Sequence, residues 1–512
     1  MKTKDSIVRN FSMLTAITII EKIIAFVFEA VIAAKLGTSI VTDGYFTSAE
    51  FFTLIESAFL SAIVIASLRR YTYYVNNVSE RRGMEFLSEI QSAYLPAMVL
   101  LSILLFALAK PLSFIVSPGY GEEARKIVVR CIRVVSCVPT IVCFTSIGNT
   151  VLRQKKDFAI TALKSVFISV VGIVSVLIFG ERDLRNADPL SFAFVISTIL
   201  YCIVVRLSVK KYGTIRFQKP ALTNDVRITF KLMFPLMISN GIARLALMVD
   251  KSVASMLVPG SVSSLTYAHS LYKVVGAIFV TNLTTIVLTD FNEMCSKGEY
   301  EKVNLTIKNT ISTMTIILIP ITVISVICSN DIVKIVYERG AFSSTATSLV
   351  GNTLKYYALN FIPVMIQGIY LPALYAMGNT FKPMIISVIS VMLNLGLSIP
   401  LSLTIGIQGV ALSTVISTII AVILEFFALK KLLKNHKSFY TIRFITKCLI
   451  SGMIMIMVTY YLKQMISSSL LSFVCSTLAG FFVFYFVMCV LREEYTISSM
   501  KRILNFLFSR KR

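Results

Sequence analysis

The sequence has few of the residues from which enzyme active sites are built. Its 512 residues include only two histidines, His269 and His436, and no HExxH, GxSxG or P-loop motif. Charge is also scarce, because 15% of the residues are charged whereas 56% are hydrophobic. A soluble domain of this length carries more charge, so the composition excludes one. We expect a protein that is not an enzyme.

Paired cysteines are lacking as well. None of the nine cysteines forms a CxxC motif, and most of them lie inside apolar runs. The spacing indicates neither a disulfide framework nor a metal site, so these residues are expected to pack as small side chains. We predict no cofactor, and only a coupling ion (Na+ or H+) or the membrane potential as an energy source.

Apolar runs of roughly 20 residues, each long enough to cross a bilayer, recur along the whole chain. They predict an all-α polytopic membrane protein of about fourteen transmembrane helices. The basic N-terminus leads into a run that is too long for a signal peptide, so we expect a retained first helix. The predicted helices are 11–36, 44–68, 86–109, 128–152, 159–180, 189–208, 232–249, 264–290, 311–329, 350–377, 384–404, 407–429, 444–462 and 470–491.

Basic residues are unevenly distributed among the loops. Lysine and arginine total 50 against 26 acidic residues, and the formal net charge is +24. Loops after even-numbered helices carry pairs such as Arg69–Arg70, Arg81–Arg82 and Lys430–Lys431. The positive-inside rule then predicts that both termini are cytoplasmic. We expect the excess positive charge to lie in cytoplasmic loops next to membrane lipids. We expect no nucleic-acid partner.

A polar hinge followed by a polar-studded apolar helix occurs twice. The first copy is residues 36–60, LGTSIVTDGYFTSAEFFTLIESAFL, and the second is residues 258–273, VPGSVSSLTYAHSLYK, about 222 residues later. Similar offsets relate other positions. The matching pairs are Ser39 and Ser261, Tyr45 and Tyr267, Ser48 and Ser270, Pro139 and Pro363, Phe158 and Phe381, and Gly180 and Gly406.

This duplication predicts two pseudo-symmetric six-helix lobes that frame a central cavity, followed by two further helices. We assign residues 1–208 to the N-lobe (helices 1–6) and 209–231 to a basic cytoplasmic linker. Residues 232–429 form the C-lobe (helices 7–12). Residues 430–491 hold helices 13 and 14, and 492–512 form a basic cytoplasmic tail that is expected to lie as an amphipathic helix on the membrane surface.

Ionisable residues inside these spans are costly, so each is a functional hypothesis. The first two helices hold Lys22, Glu29, Glu50 and Glu56. In the second lobe Asp250 ends one helix, and on the next helix His269 and Lys273 are four residues apart, on one face. These residues predict a hydrated cavity for a polar or ionic substrate. The alternative is that they form ion pairs that only help the two lobes associate.

Several segments resemble the MurJ (MviN) family, within the group of multidrug and polysaccharide exporters. They include LGTSIVTDGYFTSAEF, DKSVASMLVPGSVSSLTYAHSL, ERGAFSSTATSL, YALNFIPVMIQGIYLPALYAMGNTFKP and IGIQGVALSTVIS, between about residues 12 and 430. The resemblance implies a flippase of the bacterial cytoplasmic membrane that serves peptidoglycan synthesis and cell shape. It would translocate a polyprenyl-diphosphate-linked saccharide, lipid II in the type case, by alternating access. The last two helices would form a groove for the lipid tail, and cell-wall synthesis machinery is an expected partner.

The family's cavity arginines are replaced in this sequence. Lys22 keeps the charge at the first position, but Phe28, Glu50, Glu56 and Ser270 stand where arginines are usual in the family. We therefore expect a divergent flippase in which Lys22 and Lys273 meet the diphosphate as point charges, balanced by the glutamates. The candidate substrate-binding residues are Lys22, Glu29, Asp43, Glu50, Glu56, Asp250, His269, Ser270, Lys273 and Arg339.

Two other functions remain open at this point. A cation-coupled exporter of drugs or metabolites with the same lobes would use Glu50, Glu56 or Asp43 as its ion site. Its efflux of a cationic dye would collapse with the ion gradient. A non-transporting scaffold for envelope synthesis would instead keep its function after every cavity charge is removed.

Overall fold

The structure, a computed structural model, describes residues 20–155, 157–179, 187–379, 381–433, 442–466 and 469–492. Throughout these ranges the regular structure is helical, without a strand, which confirms the all-α prediction. Eight helices there are long and apolar enough to cross a membrane, or up to ten if each of two bent pairs is one span. The protein is thus a multi-pass membrane protein, and the exact count of fourteen stays a prediction. The predicted tail helix and Gly180 lie outside the described residues.

The helices are numbered here in chain order. They are α1 (20–36), α2 (Ile40–Ile55), α3 (Ser61–Asn77), α4 (Glu80–Ala107), α5 (Ala109–Val116), α6 (Glu122–Val135), α7 (Val138–Gln154), α8 (Phe158–Ile178), α9 (Asp188–Val209), α10 (Asn224–Ala254), α11 (Ser261–Gly276), α12 (Asn282–Ser296), α13 (Tyr300–Ile327), α14 (Ser329–Tyr337), α15 (Ser344–Ala358), α16 (Phe361–Ala376), α17 (Phe381–Ile405), α18 (Ile407–Leu432), α19 (Ile442–Met465) and α20 (Ser469–Val490).

Helices α2 and α3 form one continuous 38-residue helix, Ile40–Asn77. It starts earlier than predicted because Ser39 and Thr42 form a capping box at its first turn. It also ends later, because Arg70 and Tyr74 on its last turns bind the carboxylate of Asp225. A five-residue π-helical turn, Glu56–Leu60, joins the two parts. Such turns are rare and are often found at functional sites.

The backbone repeats this design in the second half of the chain. A π-helical turn, Ala277–Thr281, joins α11 to α12 just as Glu56–Leu60 joins α2 to α3. Two helix pairs are bent, α6 with α7 by 45° and α15 with α16 by 41°. The next helices begin at Phe158 and Phe381, a pair that the sequence repeat matches. The duplication seen in the sequence therefore extends to irregular backbone features, at an offset of about 221 residues.

Contact clustering divides the chain into two compact bodies. Body one contains residues up to Ser263 together with Arg339–Ser343, and body two contains Ser264–Glu338 and the residues from Ser344 onward. In body one, α2 and α3 pack against α6, α7 and α10. The first helix of the second half, α10, therefore belongs to body one.

Body two has two apolar clusters. The larger one joins α12, α13, α16 and α18 through side chains such as Phe291, Ile307, Met365 and Leu429. The smaller one packs α19 and α20 against α13 through Phe444, Met455 and Phe484. The last two helices are thus fixed to body two by buried apolar side chains.

Two close backbone contacts within body one join residues of the two sequence halves. The amide of Ala341 donates to the carbonyl of Ala34 at the end of α1, at 2.7 Å. At the equivalent place in the first half, the amide of Gly119 donates to the hydroxyl of Ser255 at the end of α10, at 3.4 Å. A Cβ atom at Gly340 would lie 2.1 Å from the Ala34 carbonyl oxygen, and one at Gly119 2.2 Å from Cα of Met256. Only glycine permits such approaches.

The segment between α9 and α10 lies along α4. Its backbone amides at Arg216 and Gln218 each donate to a serine hydroxyl of α4 at 3.0 Å, those of Ser88 and Ser92. Thr223 then caps α10, which begins at Asn224, earlier than predicted. The predicted linker is therefore attached to body one along its length.

Candidate functional site

Glu50 is the centre of a charged group in body one. Its carboxylate is 3.2 Å from the ammonium of Lys251 and 4.0 Å from the guanidinium of Arg244, both on α10. The side chains of Glu50 and Lys251 are only 14% and 12% exposed, whereas Arg244 is 40% exposed. Lys251 also donates to the carbonyl of Phe46 at 3.1 Å. A buried pair with a partly exposed guanidinium beside it leaves Arg244 accessible to an anion.

Glu56 stands at the first position of the π-helical turn. Its carboxylate accepts a hydrogen bond from the ammonium of Lys164, which lies on α8. The two side chains are 31% and 20% exposed. Both glutamates of the first hinge helix therefore have a cationic partner from another helix of body one.

Asp43 has a different kind of partner. It is 2% exposed, and its two carboxylate oxygens accept from the backbone amides of Gly260 at 2.6 Å and Ser263 at 2.7 Å. These amides belong to the first turn of α11, where a negative charge is stabilised. The hydroxyl of Tyr120, in the loop before α6, bonds Thr47 at 2.9 Å. Burial, and secondarily the Asp43 carboxylate, raise the pKa of Tyr120 well above its ordinary range.

The remaining predicted residues of body one lie on α1, on α10 and in the segment 339–343. Lys22 is exposed on α1 and lies 3.5 Å from its neighbour Glu21. Glu29, half-buried on the same helix, interacts electrostatically with Tyr45. Asp250 is buried near the end of α10, and Arg339 is exposed in the segment that contacts α1.

In body two the predicted residues lie on α11. Lys273 is exposed, whereas His269 and Ser270 are half-buried. The His269 ring stacks on Tyr272 with centroids 5.7 Å apart, and Tyr272 stacks in turn on Phe361 at 5.4 Å. The Asn360 amide, in the break between α15 and α16, donates to the Tyr272 hydroxyl at 3.1 Å. His269 is thus part of an aromatic stack, and its role in substrate binding stays a prediction.

Lys164 and Arg244 were not among the predicted site residues. Both residues lie inside predicted apolar runs. Because a charge in a membrane span is costly, their positions alone could have identified them as candidates. Glu425, whose carboxyl group is buried within α18, was not predicted as a site residue either. Among the described residues, no group of three or more His, Cys, Asp or Glu side chains is placed to hold a metal ion.

Comparison with known proteins agrees with this architecture. The family model described as lipid II flippase MurJ matches residues 32–480. A probable lipid II flippase MurJ of Rhizobium tropici is 25% identical over 425 residues, which are 80% of this chain and 79% of that protein. A probable lipid II flippase MurJ of Buchnera aphidicola is 21% identical and covers 91% of both chains.

Two solved structures show the same fold. A lipid II flippase MurJ in an inward closed conformation superposes with a TM-score of 0.79 at 22% identity, over 93% of this chain and 98% of that one. An inward-facing multidrug resistance transporter of the MATE family gives a TM-score of 0.68 at 14% identity, over 81% and 94%. Because the family model spans most of the sequence, the chain belongs to the lipid II flippase MurJ family.

Proposed function

We propose that this protein is a flippase that moves lipid II, or a related polyprenyl-diphosphate-linked saccharide, across the bacterial cytoplasmic membrane by alternating access. Membership of the MurJ family supports the substrate class. Both termini would be cytoplasmic, because the basic loops follow even-numbered predicted helices. Peptidoglycan synthesis enzymes would supply and consume the lipid.

The observation that carries this proposal is the position of Arg244 beside Glu50. Arg244 stands ten residues before the end of the 31-residue helix α10, which places it about 15 Å along the helix axis from that end. A guanidinium at this depth offers a planar fork that binds two oxygens of a diphosphate. Glu50 and Lys251 next to it would hold the fork in place and balance its charge.

This arrangement changes how the missing family arginines are interpreted. Glu50 and Glu56 introduce two negative charges, but Arg244, Lys251 and Lys164 bring three positive charges to the same part of body one. Within these two ion-paired groups the positive charges outnumber the negative ones by one, which suits recognition of a diphosphate. The exporter alternative would need Glu50, Glu56 or Asp43 as an ion site, and each of these carboxylates already has a partner.

The test is translocation of fluorescently labelled lipid II in proteoliposomes that contain the purified protein. We expect Arg244→Ala to lower the rate by at least about tenfold, since a charge-assisted hydrogen bond contributes about 1.5–3 kcal/mol. The translocation rate of Arg244→Lys should lie between that of Arg244→Ala and that of the unchanged protein. Lysine keeps the positive charge but lacks the planar guanidinium.

Arg227→Ala is the matched control, since Arg227 is an exposed arginine on the same helix. Its rate should equal that of the unchanged protein. Wild-type rates in Arg244→Ala, or an equal loss in Arg227→Ala, would contradict the assignment. Efflux of a cationic dye without lipid II translocation would favour the exporter.

A further inference from the structure

Glu425 is a carboxyl group inside the apolar core of body two. It lies on α18 between Val422, Phe426 and Leu429, which belong to the larger apolar cluster or pack against it. Glu425 is only 1% exposed. The proposed function makes no use of it, although an ionisable residue at such a place is costly.

The polar surroundings of Glu425 are sparse. The Gln367 amide on α16 donates to Oε1 at 3.2 Å, whereas Oε2 is buried without a hydrogen-bond partner in the described structure. Tyr370 and Tyr375, also on α16, are the titratable side chains that interact with it electrostatically. Helices α15 and α17 also pack against α18. Their lysines, Lys355 and Lys382, and those at the end of α18, Lys430 and Lys431, form no described ion pair with Glu425.

These surroundings suit a proton better than a metal ion or a fixed charge. An isolated buried carboxylate costs several kcal/mol and is neutralised by binding a proton unless a cation pairs with it. Hard cations take about six oxygen ligands, whereas among the described residues Glu425 has one hydrogen-bond partner, the amide of Gln367. The donated amide hydrogen bond and the bare second oxygen fit a neutral carboxylic acid.

We propose that Glu425, positioned by Gln367, is the proton-binding site that couples transport to the proton gradient. The inference rests on the proposed flippase function. In the described arrangement the proton forms an O–H bond with the carboxylate. A second conformation that brings water to the carboxyl breaks that bond and releases the proton to water. A proton shifts the balance of two conformations only if they bind it with different affinity, and the burial of Glu425 provides such a difference.

The route for the proton leads toward the end of α18. Glu425 is five residues from Lys430, about 7.5 Å of helix rise. Tyr375, which interacts with Glu425, is 46% exposed. A modest opening between α16 and α18 beside Tyr375 would connect the carboxyl with the aqueous phase.

The first test measures the carboxyl itself and needs no substrate. Infrared difference spectra of the reconstituted full-length protein are recorded between pH 5 and 9. We expect a carboxylic C=O band that disappears as the pH rises and is missing in Glu425→Gln. In Gln367→Leu the band should move to higher frequency, because the carbonyl loses its donated hydrogen bond. Glu301→Gln, which changes an exposed glutamate of body two, should keep the band unchanged.

The second test measures coupling with labelled lipid II in proteoliposomes, with and without a pH gradient. One proton per cycle permits at most about a tenfold shift in leaflet distribution for each pH unit. We expect such a gradient-dependent shift in the unchanged protein and in Glu301→Gln, and its loss in Glu425→Gln. Replacement of the proton gradient by a sodium gradient should have no effect.

Absence of the band, or a gradient response that persists in Glu425→Gln, overturns the proposal. A folded Glu425→Gln protein, judged by its elution as a single species, makes that comparison valid. If the unchanged protein moves no lipid II, the proposed function fails, while the infrared band still decides whether Glu425 binds a proton.

Discussion

The two hinge helices have the same backbone but different side-chain chemistry. Both contain a five-residue π-helical turn, Glu56–Leu60 in the first and Ala277–Thr281 in the second. Helix α2 carries Asp43 and Glu50, each with a polar or cationic partner in body one. Helix α11 carries Lys273 instead of carboxylates, together with hydroxyl and aromatic side chains, of which His269 and Tyr272 stack on each other. Duplication preserved the path of the chain, whereas the charges diverged between the copies. The backbone of a hinge helix and its side-chain chemistry are thus separable in this protein.

The largest expected effect tests whether the charges of body one depend on one another. Lys251→Ala leaves the Glu50 carboxylate without its nearest cation in a mostly buried place. Removal of one partner of a buried ion pair lowers the free energy of unfolding by about 3–5 kcal/mol. We expect a clear drop in the melting temperature of the detergent-solubilised protein, measured by loss of the monodisperse elution peak. The double variant Glu50→Gln with Lys251→Met should recover most of the lost melting temperature. An unchanged melting temperature in Lys251→Ala would show that the pair is dispensable.

A smaller effect tests the equivalence of the two backbones. Gly340→Ala and Gly119→Ala each place a methyl group within 2.2 Å of backbone atoms. Each should lower stability by about 1–3 kcal/mol, as overpacking does. Gly340 also has φ of +60°, so its cost should be the higher of the two.

Two other glycines, Gly121 and Gly378, provide controls for these two substitutions. A Cβ at Gly121, two residues after Gly119, meets nothing within 4 Å. Gly378 has φ of +76° with open space around it, so Gly378→Ala measures backbone strain alone. Thermal melting of all four variants separates the clash from the strain. A loss at only one of Gly119 and Gly340 would break the equivalence.

The smallest effect compares Asp43 with Ser264, which follows it by 221 residues, the offset that relates the two π-helical turns. Asp43→Ala removes two hydrogen bonds to the first turn of α11 and should cost about 1–2 kcal/mol. Ser264→Ala should change stability by less than about 0.5 kcal/mol, because the buried hydroxyl has no described partner. Chemical denaturation in detergent can resolve the difference. Equal costs would mean that the two helices have not diverged in this respect.

The sequence predicted the fold well where the relevant interactions are local. Helix starts at Phe158 and Phe381 and the stop before Gly406 follow from short-range preferences and from the repeat. The end of α3 was predicted too early, because Arg70 and Tyr74 extend the helix through contacts with Asp225, far along the chain. Sequence patterns contain apolar periodicity but not such distant partners.

The same reason limits prediction of the candidate site. The cost of burial made Glu50 and Glu56 recognisable as special residues. Their partners could not be assigned, since Lys164 is 108 residues away from Glu56 and stands on a helix with no local relation to it. Glu425 was overlooked because a single carboxylate near the end of a predicted helix looks like a residue at the membrane surface. Only its 1% exposure distinguishes it.

The paired contacts at Gly119 and Gly340 bear on the origin of the chain. Each contact joins a loop of one half to the first helix of the other, so neither half contains both partners of either contact. A six-helix ancestor could have made this contact only as a homodimer. In its isologous interface, the loop of each subunit would contact the first helix of the other subunit. Gene fusion would then have turned an association between two molecules into an intramolecular one, and freed each copy to mutate alone.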